Sequence, residues 1–153
     1  MDYQVEIKEI EAVRVAYMTH KGLVTEASEL FPIVFESINH NINGLPFYIY
    51  HEMDSQTFQG VVDVCEATAE EPNNPEVKTK VMPGIKVLAV KHIGPYNTVY
   101  LAYQAIQKYA AENGFSLTGS NREIFIKGPN LEENPQKYIT EIVVPFIEMK
   151  AFF

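Results

Sequence analysis

Two stretches of this chain carry the same pattern. VRVAYMTHKG, residues 13–22, aligns with IKVLAVKHIG, residues 85–94. Val15 matches Val87, His20 matches His92 and Gly22 matches Gly94, while Val13/Ile85 and Arg14/Lys86 are conservative pairs. An internal repeat constrains a fold strongly, because each copy must build the same supersecondary unit and bury its apolar face in the same way.

The order of predicted elements repeats with it. Residues 3–19 alternate as a strand, with Val5 and Ile7 and then Val13, Val15 and Tyr17, and Lys21-Gly22 is expected to break it. Helical spacing follows over 24–42, at Ala27, Leu30, Phe31, Val34, Phe35, Ile38 and Ile42. Pro32 marks a start or a kink there, and Asn43-Gly44 a stop. Strands are expected at 47–51 and 59–66. The acidic, Pro- and Asn-rich TAEEPNNPE, residues 68–76, reads as a linker. Then come strands over 78–92 around Pro83-Gly84, a break at Gly94-Pro95, and a helix capped by Asn97 or Thr98. Its stripe is Val99, Ala102, Tyr103, Ile106 and Ala110, and Asn113-Gly114 ends it. Strands at 122–127 and 137–147 close the chain. In this alignment Asp63 of GVVDVCE matches Glu141 of YITEIVVP.

The expected architecture is therefore α+β: one domain over 1–153, made of β-α-β-β half-repeats at about 1–67 and 78–153 joined by a linker at 68–77. An antiparallel sheet with two helices, and a ligand groove at the pseudo-twofold junction, completes the expectation.

Composition narrows the function. With 46% hydrophobic residues the chain can bury a core without metal or disulfide staples, and its single cysteine, Cys65, sits in an apolar strand pattern. The net charge of −8 repels phosphate backbones, so direct nucleic-acid binding is not expected. No apolar run reaches the roughly 18–20 residues of a membrane span. MDYQVE has no basic region leading into an apolar stretch, so the cytoplasm is the expected location.

Strand alternation puts Ile139, Glu141 and Val143 on one face. A carboxylate among apolar neighbours is costly unless it is paired, protonated or solvated by a pocket. Pairing with a Lys or Arg and contact with a cationic ligand are both open for Glu141, and Asp63 sits similarly. Nine tyrosines and no Trp supply flat walls with polar tips. Tyr48 and Tyr50 share a strand face, and Tyr96, Tyr100 and Tyr103 lie on or just before the second helix. His20, His40, His51 and His92 have no metal-ligand spacing, and no cofactor is expected. His20 and His92, each just before a Gly break, are expected to anchor turns. No nucleophile elbow, dinucleotide fingerprint or phosphate loop is present.

The segment MPGIKVLAVKHIGPYNTVYLAYQAIQKYAAENGF, residues 82–115, with its His-x-Gly-Pro-Tyr and helix-ending Asn-Gly, resembles the signature of the GyrI-like (AraC-type effector-binding) small-molecule-binding family. REIFIKGP, residues 122–129, and YITEIVVPF, residues 138–146, are similar to its closing strands, and VRVAYMTHKG to its opening one. The resemblance implies a central pocket for hydrophobic, aromatic or cationic ligands. It assigns Glu141 as the buried acidic contact and Tyr96, Tyr48 and Tyr50 as pocket residues, with Tyr100, Phe125, Ile139 and Val143 beside them. Where the family often has Tyr in the closing strand this chain has Phe125, which removes a polar tip. Such domains serve as effector sensors of transcription regulators and as multidrug-binding modules. The resemblance thus implies a stand-alone binder working with a transcription-regulator partner. Two alternatives follow from the same family: a hydrolase of cyclopropanoid or other electrophilic toxins, with Glu141 and Tyr96 as catalytic groups, and a gyrase-inhibitor-like interaction module.

Overall fold

The computed structural model describes residues 2–149. In chain order the elements are β1 (Glu6–Ile10), β2 (Val13–Leu23), a 3-10 turn (Val24–Leu30), α1 (Phe31–Ser37), β3 (Phe47–Met53), β4 (Gln59–Ala67), β5 (Lys78–Met82) and β6 (Ile85–Ile93). A 3-10 turn (Tyr96–Thr98), α2 (Tyr100–Asn113), β7 (Phe115–Leu117), β8 (Arg122–Lys127), a 3-10 turn (Pro135–Lys137) and β9 (Ile139–Glu148) follow. The strand pairs are antiparallel and two helices pack on the strands, so the class is α+β as expected. Among the described residues, no helix is long and apolar enough to cross a membrane.

The chain divides into two compact units, residues 1–10 with 85–153, and residues 11–84. The first unit pairs β1 with β6, β6 with β9, and β9 with both β8 and β7. The second pairs β5 with β2, β2 with β4, and β4 with β3. The opening strands are thus exchanged: β1 runs into β2 in sequence yet pairs with β6, and β5 runs into β6 yet pairs with β2. The registers of the exchanged strands agree. Lys8 faces Val87 on β6, and Lys80, its counterpart in the repeat, faces Val15 on β2.

Each helix covers one face of the strands in its own unit. Directly opposed residues of an antiparallel pair share a face, and successive residues alternate. In the first unit Leu88, Val90, Ile142, Val144 and Phe146 form the layer under Ala102, Ile106 and Ala110 of α2. The other face carries Val87, Ala89 and Val143 with Ile10 and Ile124. In the second unit Ala16, Val34, Ile38 and Val77 form the layer between sheet and α1. The stripe expected on α2 is the one it buries, and Gly114 ends it with φ +71°. There the left-handed turn favours glycine.

Several local expectations are corrected. Lys21-Gly22 does not end β2, which keeps pairing through Gly22–Gly60 and Leu23–Gln59. The helix expected over 24–42 is α-helical only from Phe31 to Ser37. Pro32 lacks the N–H that would bond to Ser28 and its ring crowds that carbonyl, so the preceding turn winds as 3-10 and the α-helix starts at the proline. It stops before Asn43-Gly44 because Asn39 and His40 already turn left-handed, with φ +54° and +64°. Neither Asn97 nor Thr98 caps α2, which starts after Val99 with no side-chain cap. The Thr98 hydroxyl instead donates to the Pro95 carbonyl at 2.9 Å.

Candidate functional site

The registers put Asp63 and Glu141 at the same point of the two units. Asp63 faces Thr19 on β2 and Ile49 on β3, and Glu141 faces Lys91 on β6 and Ile124 on β8. Each acid takes a lysine from an exchanged strand: Lys8 reaches Glu141 Oε2 at 2.6 Å, and Lys80 reaches Asp63 Oδ2 at 2.5 Å. The Glu141 side chain is 12% exposed. Its hydrogen bond to Lys8 is the main reason that lysine's pKa rises. Asp63 also accepts from Thr19 Oγ1 at 2.6 Å and from His51 Nε2 at 2.7 Å. Burial would push its carboxyl up, but the hydrogen bonds from His51, Lys80 and Thr19 outweigh it and hold the pKa below the ordinary value. Lys80 also lies over the Tyr17 ring, 4.1 Å from its centre. The burial of Glu141 is therefore compensated inside its own unit by an ion pair.

A second acid has a different setting. Glu123 on β8 faces Ile142, which places it on the side that α2 covers. It is a buried residue, and Tyr103 of α2 donates its hydroxyl to Glu123 Oε2 at 2.6 Å. Asn121 donates in turn to the Tyr103 oxygen at 2.7 Å. Phe125 lies two residues on, on the same face. The Tyr96 ring stands edge-on to Phe125 at 5.8 Å and tilted against Tyr138 at 5.2 Å. Burial, and then the charges of Tyr138 and Glu123, push the Tyr96 hydroxyl up to about 12. Tyr96 is 40% exposed as a residue, yet its hydroxyl end abuts backbone. A Cβ on Gly128 would lie 2.8 Å from that oxygen, so glycine is what leaves room for it. Tyr100, 54% exposed, sits one turn before Tyr103 on α2. The result is a carboxylate fixed by a phenol and approached by aromatic faces, an arrangement suited to a flat or cationic guest.

The expected site residues are thus sorted by face. Tyr96 and Phe125 come together on the α2 side, with Tyr100 on the helix above. Ile139, Glu141 and Val143 occupy the opposite face of the same sheet. Glu123, Tyr103 and Tyr138 complete the cluster; Tyr103 was among the tyrosines expected to offer flat walls, whereas Glu123 and Tyr138 were not among the expected contacts. REIFIK alternates with Ile124 and Ile126 on one face, so Glu123 reads as a solvent-facing acid. Its pairing with Tyr103, a residue of the helix stripe, exists only in the folded chain.

The second unit has the counterpart of this cluster. Phe31 matches Tyr103 in the repeat, and Tyr48 and Tyr50, opposite Val64 and Val62, match Glu123 and Phe125, opposite Ile142 and Thr140. Phe31 stacks on Tyr48 at 5.4 Å, and Tyr48 meets Tyr50 edge-on at 5.9 Å. Two shallow clefts lie elsewhere. One, of about 520 Å³, is lined by Pro32, Ile33, Glu36, Ser37, Asn73 and Asn74, and the other, of about 510 Å³, runs along Gly22, Glu52–Asp54 and Gln59–Val61. Neither is walled by an aromatic ring.

The turns that launch the two helices also repeat. His20 Nε2 lies 2.7 Å from the Leu23 carbonyl and His92 Nε2 lies 3.2 Å from the Pro95 carbonyl. Each histidine anchors its turn, as the sequence led us to expect. Gly22 and Gly94 take φ +139° and +140°, a region essentially reserved for glycine. Tyr3 adds a hydrogen bond to His92 Nδ1 at 2.8 Å. Among the described residues, no three His, Cys, Asp or Glu side chains are placed to hold a metal ion.

Comparison with known proteins agrees with this geometry. The model of the GyrI-like small molecule binding domain matches residues 3–147. The crystal structure of the EcmrR C-terminal domain is similar over 97% of this chain and 99% of that one, at 26% identity and a TM-score of 0.86. EcmrR in its DNA complex matches at 27% identity and a TM-score of 0.84, over 95% of this chain but 58% of that longer one. A hydrolase from Listeria innocua (11% identity, TM-score 0.71, 94% and 92% covered) has the same fold, as does SAV2435 bound to tetraphenylphosphonium (12%, 0.65, 99% and 97%). No functionally curated protein sequence matches the chain significantly. With nearly its whole length matched, this chain belongs to the GyrI-like small-molecule-binding domain family.

Proposed function

We propose that the chain binds an aromatic, cationic small molecule against Tyr96, Phe125 and Tyr138, with Glu123 as the charge partner. The observation that carries this reading is the buried Glu123 carboxylate, held by the Tyr103 hydroxyl at 2.6 Å on the face where the rings of Tyr96, Phe125 and Tyr138 pack together. Aromatic faces attract a desolvated cation by roughly 0.5–2 kcal/mol each, and burial of the ligand's apolar surface adds most of the rest. In this reading Glu141, ion-paired with Lys8 on the opposite face, steadies the exchanged β1 strand. The bound state is then passed to a transcription-regulating partner in the cytoplasm, a step supported by the likeness to EcmrR, which has been seen in complex with DNA. A hydrolase working through Glu141 and Tyr96 is less well supported, because those two groups lie on opposite faces of their sheet.

Titration calorimetry with tetraphenylphosphonium tests the proposal. Glu123→Gln is expected to weaken binding about tenfold or more, about 1.4 kcal/mol for each factor of ten. Glu141→Gln is expected to leave the affinity within about twofold, a few tenths of a kcal/mol. Equal binding by wild type and a folded Glu123→Gln would sink the assignment.

A further inference from the structure

We infer that Glu66 gives the second unit a ligand subsite of its own, one that takes an aromatic compound bearing a protonated amine. Glu66 lies on β4 opposite Ala16, on the face that α1 covers. It is 5% exposed, and its Oε2 has no hydrogen-bond partner among the described residues. At the matching place in the first unit stands Val144, part of the apolar layer under α2. The fold therefore has no structural need of an acid at this point. A carboxyl oxygen so placed is uncompensated in either form among the described residues: ionised it lacks a donor, and protonated it lacks an acceptor for its hydroxyl. An N–H donor with positive charge answers both deficits.

The aromatic part of such a ligand has a wall to rest on. Tyr48 pairs with Val64, and Glu66 is the next residue along that face, a diagonal spacing that long side chains span. The Tyr48 ring is stacked on Phe31 and edge-on to Tyr50. Rings beside a carboxylate recognise an arylalkyl ammonium ion by cation–π attraction and a charged hydrogen bond. The setting is dry enough that burial alone pushes the Glu66 carboxyl up to about 7. The subsite rests on the small-molecule-binding reading above, but on a different acid and a ligand with a donor hydrogen, which tetraphenylphosphonium lacks.

Calorimetry on the full chain at pH 8 separates the two, with 2-phenylethylammonium, neutral 2-phenylethanol and tetraphenylphosphonium as probes. The ammonium is expected to bind wild type more tightly than the alcohol, and about tenfold more weakly to both Glu66→Gln and Glu66→Leu. Tetraphenylphosphonium should bind all three proteins within about twofold of one another. Glu66→Leu mimics the apolar first unit and is expected to unfold at no lower temperature than wild type, so weak binding there does not report a lost fold. Equal ammonium affinity in wild type and Glu66→Leu overturns the subsite, as does failure of the ammonium to outbind the alcohol. Failure of tetraphenylphosphonium to bind wild type overturns the Glu123 reading instead and leaves the Glu66 comparison readable.

Discussion

The two units use one frame for different chemistry. Asp63 and Glu141 stand at the same register point, and each holds a lysine from an exchanged strand. Asp63 adds a threonine and a histidine and is 2% exposed, whereas Glu141 has Lys8 and is 9% exposed. On the helix side the contrast reverses. The first unit places a carboxylate, Glu123, where the second has the ring of Tyr48, and the second places Glu66 where the first has Val144. A repeat preserves backbone geometry and the glycines that geometry requires. The polar positions are free to diverge, because a sheet face accepts any side chain whose burial is compensated.

The strongest test of the comparison removes the two matched acids. Asp63→Ala leaves Lys80, His51 and Thr19 without their common acceptor and should cost about 3 kcal/mol of stability. Glu141→Ala, which frees a lysine 35% exposed at its side chain, should cost about 1–2 kcal/mol. Urea denaturation at neutral pH measures both, and equal losses would mean that the richer cluster around Asp63 adds nothing.

Two acids three residues apart on β4 should also answer pH in opposite directions. The Glu66 carboxyl rises from 4.5 in the unfolded chain to about 7 in the fold. Below the unfolded value both states hold the proton and stability is at its highest. As pH climbs through that value toward 7 the unfolded chain ionises first, so stability falls by up to about 3 kcal/mol and then levels. Asp63, held below 3.8, works the other way: its contribution is present above the unfolded value and is lost as pH falls through the folded one. Denaturant midpoints between pH 5 and 8 should therefore decline for wild type and stay flatter for Glu66→Gln. Parallel curves would remove Glu66 from the account.

The smallest expected effect sharpens the likeness between the units. Gly22→Ala and Gly94→Ala each force a side chain into a φ near +140° and should each cost about 1–2 kcal/mol. Thermal unfolding that separates the two by more than the cost itself would show that the two turns are not equivalent.

Much of the frame was legible in the chain. The match of VRVAYMTHKG with IKVLAVKHIG, the stripe of α2 and the terminal Gly114 each express a local rule of periodicity or backbone freedom. Such rules act between neighbours in sequence. Pro32 marked either a start or a kink, and the fold takes the start. The early end of α1 was less legible, because it depends on Asn39 and His40 both turning left-handed, a conformation uncommon outside glycine although Asn and His adopt it more often than most.

By itself the sequence determined the α+β class, the repeat, the turn-anchoring histidines and the equivalence of Asp63 with Glu141. Only the tertiary structure decided which carboxylates are compensated. Lys8 answers Glu141 from a strand exchanged between the units, Tyr103 answers Glu123 from a helix, and one oxygen of Glu66 is answered by no side chain among the described residues. Alternation along a strand tells which face an acid takes. The energy of that acid depends on charges and donors brought from distant parts of the chain, and no local pattern encodes them.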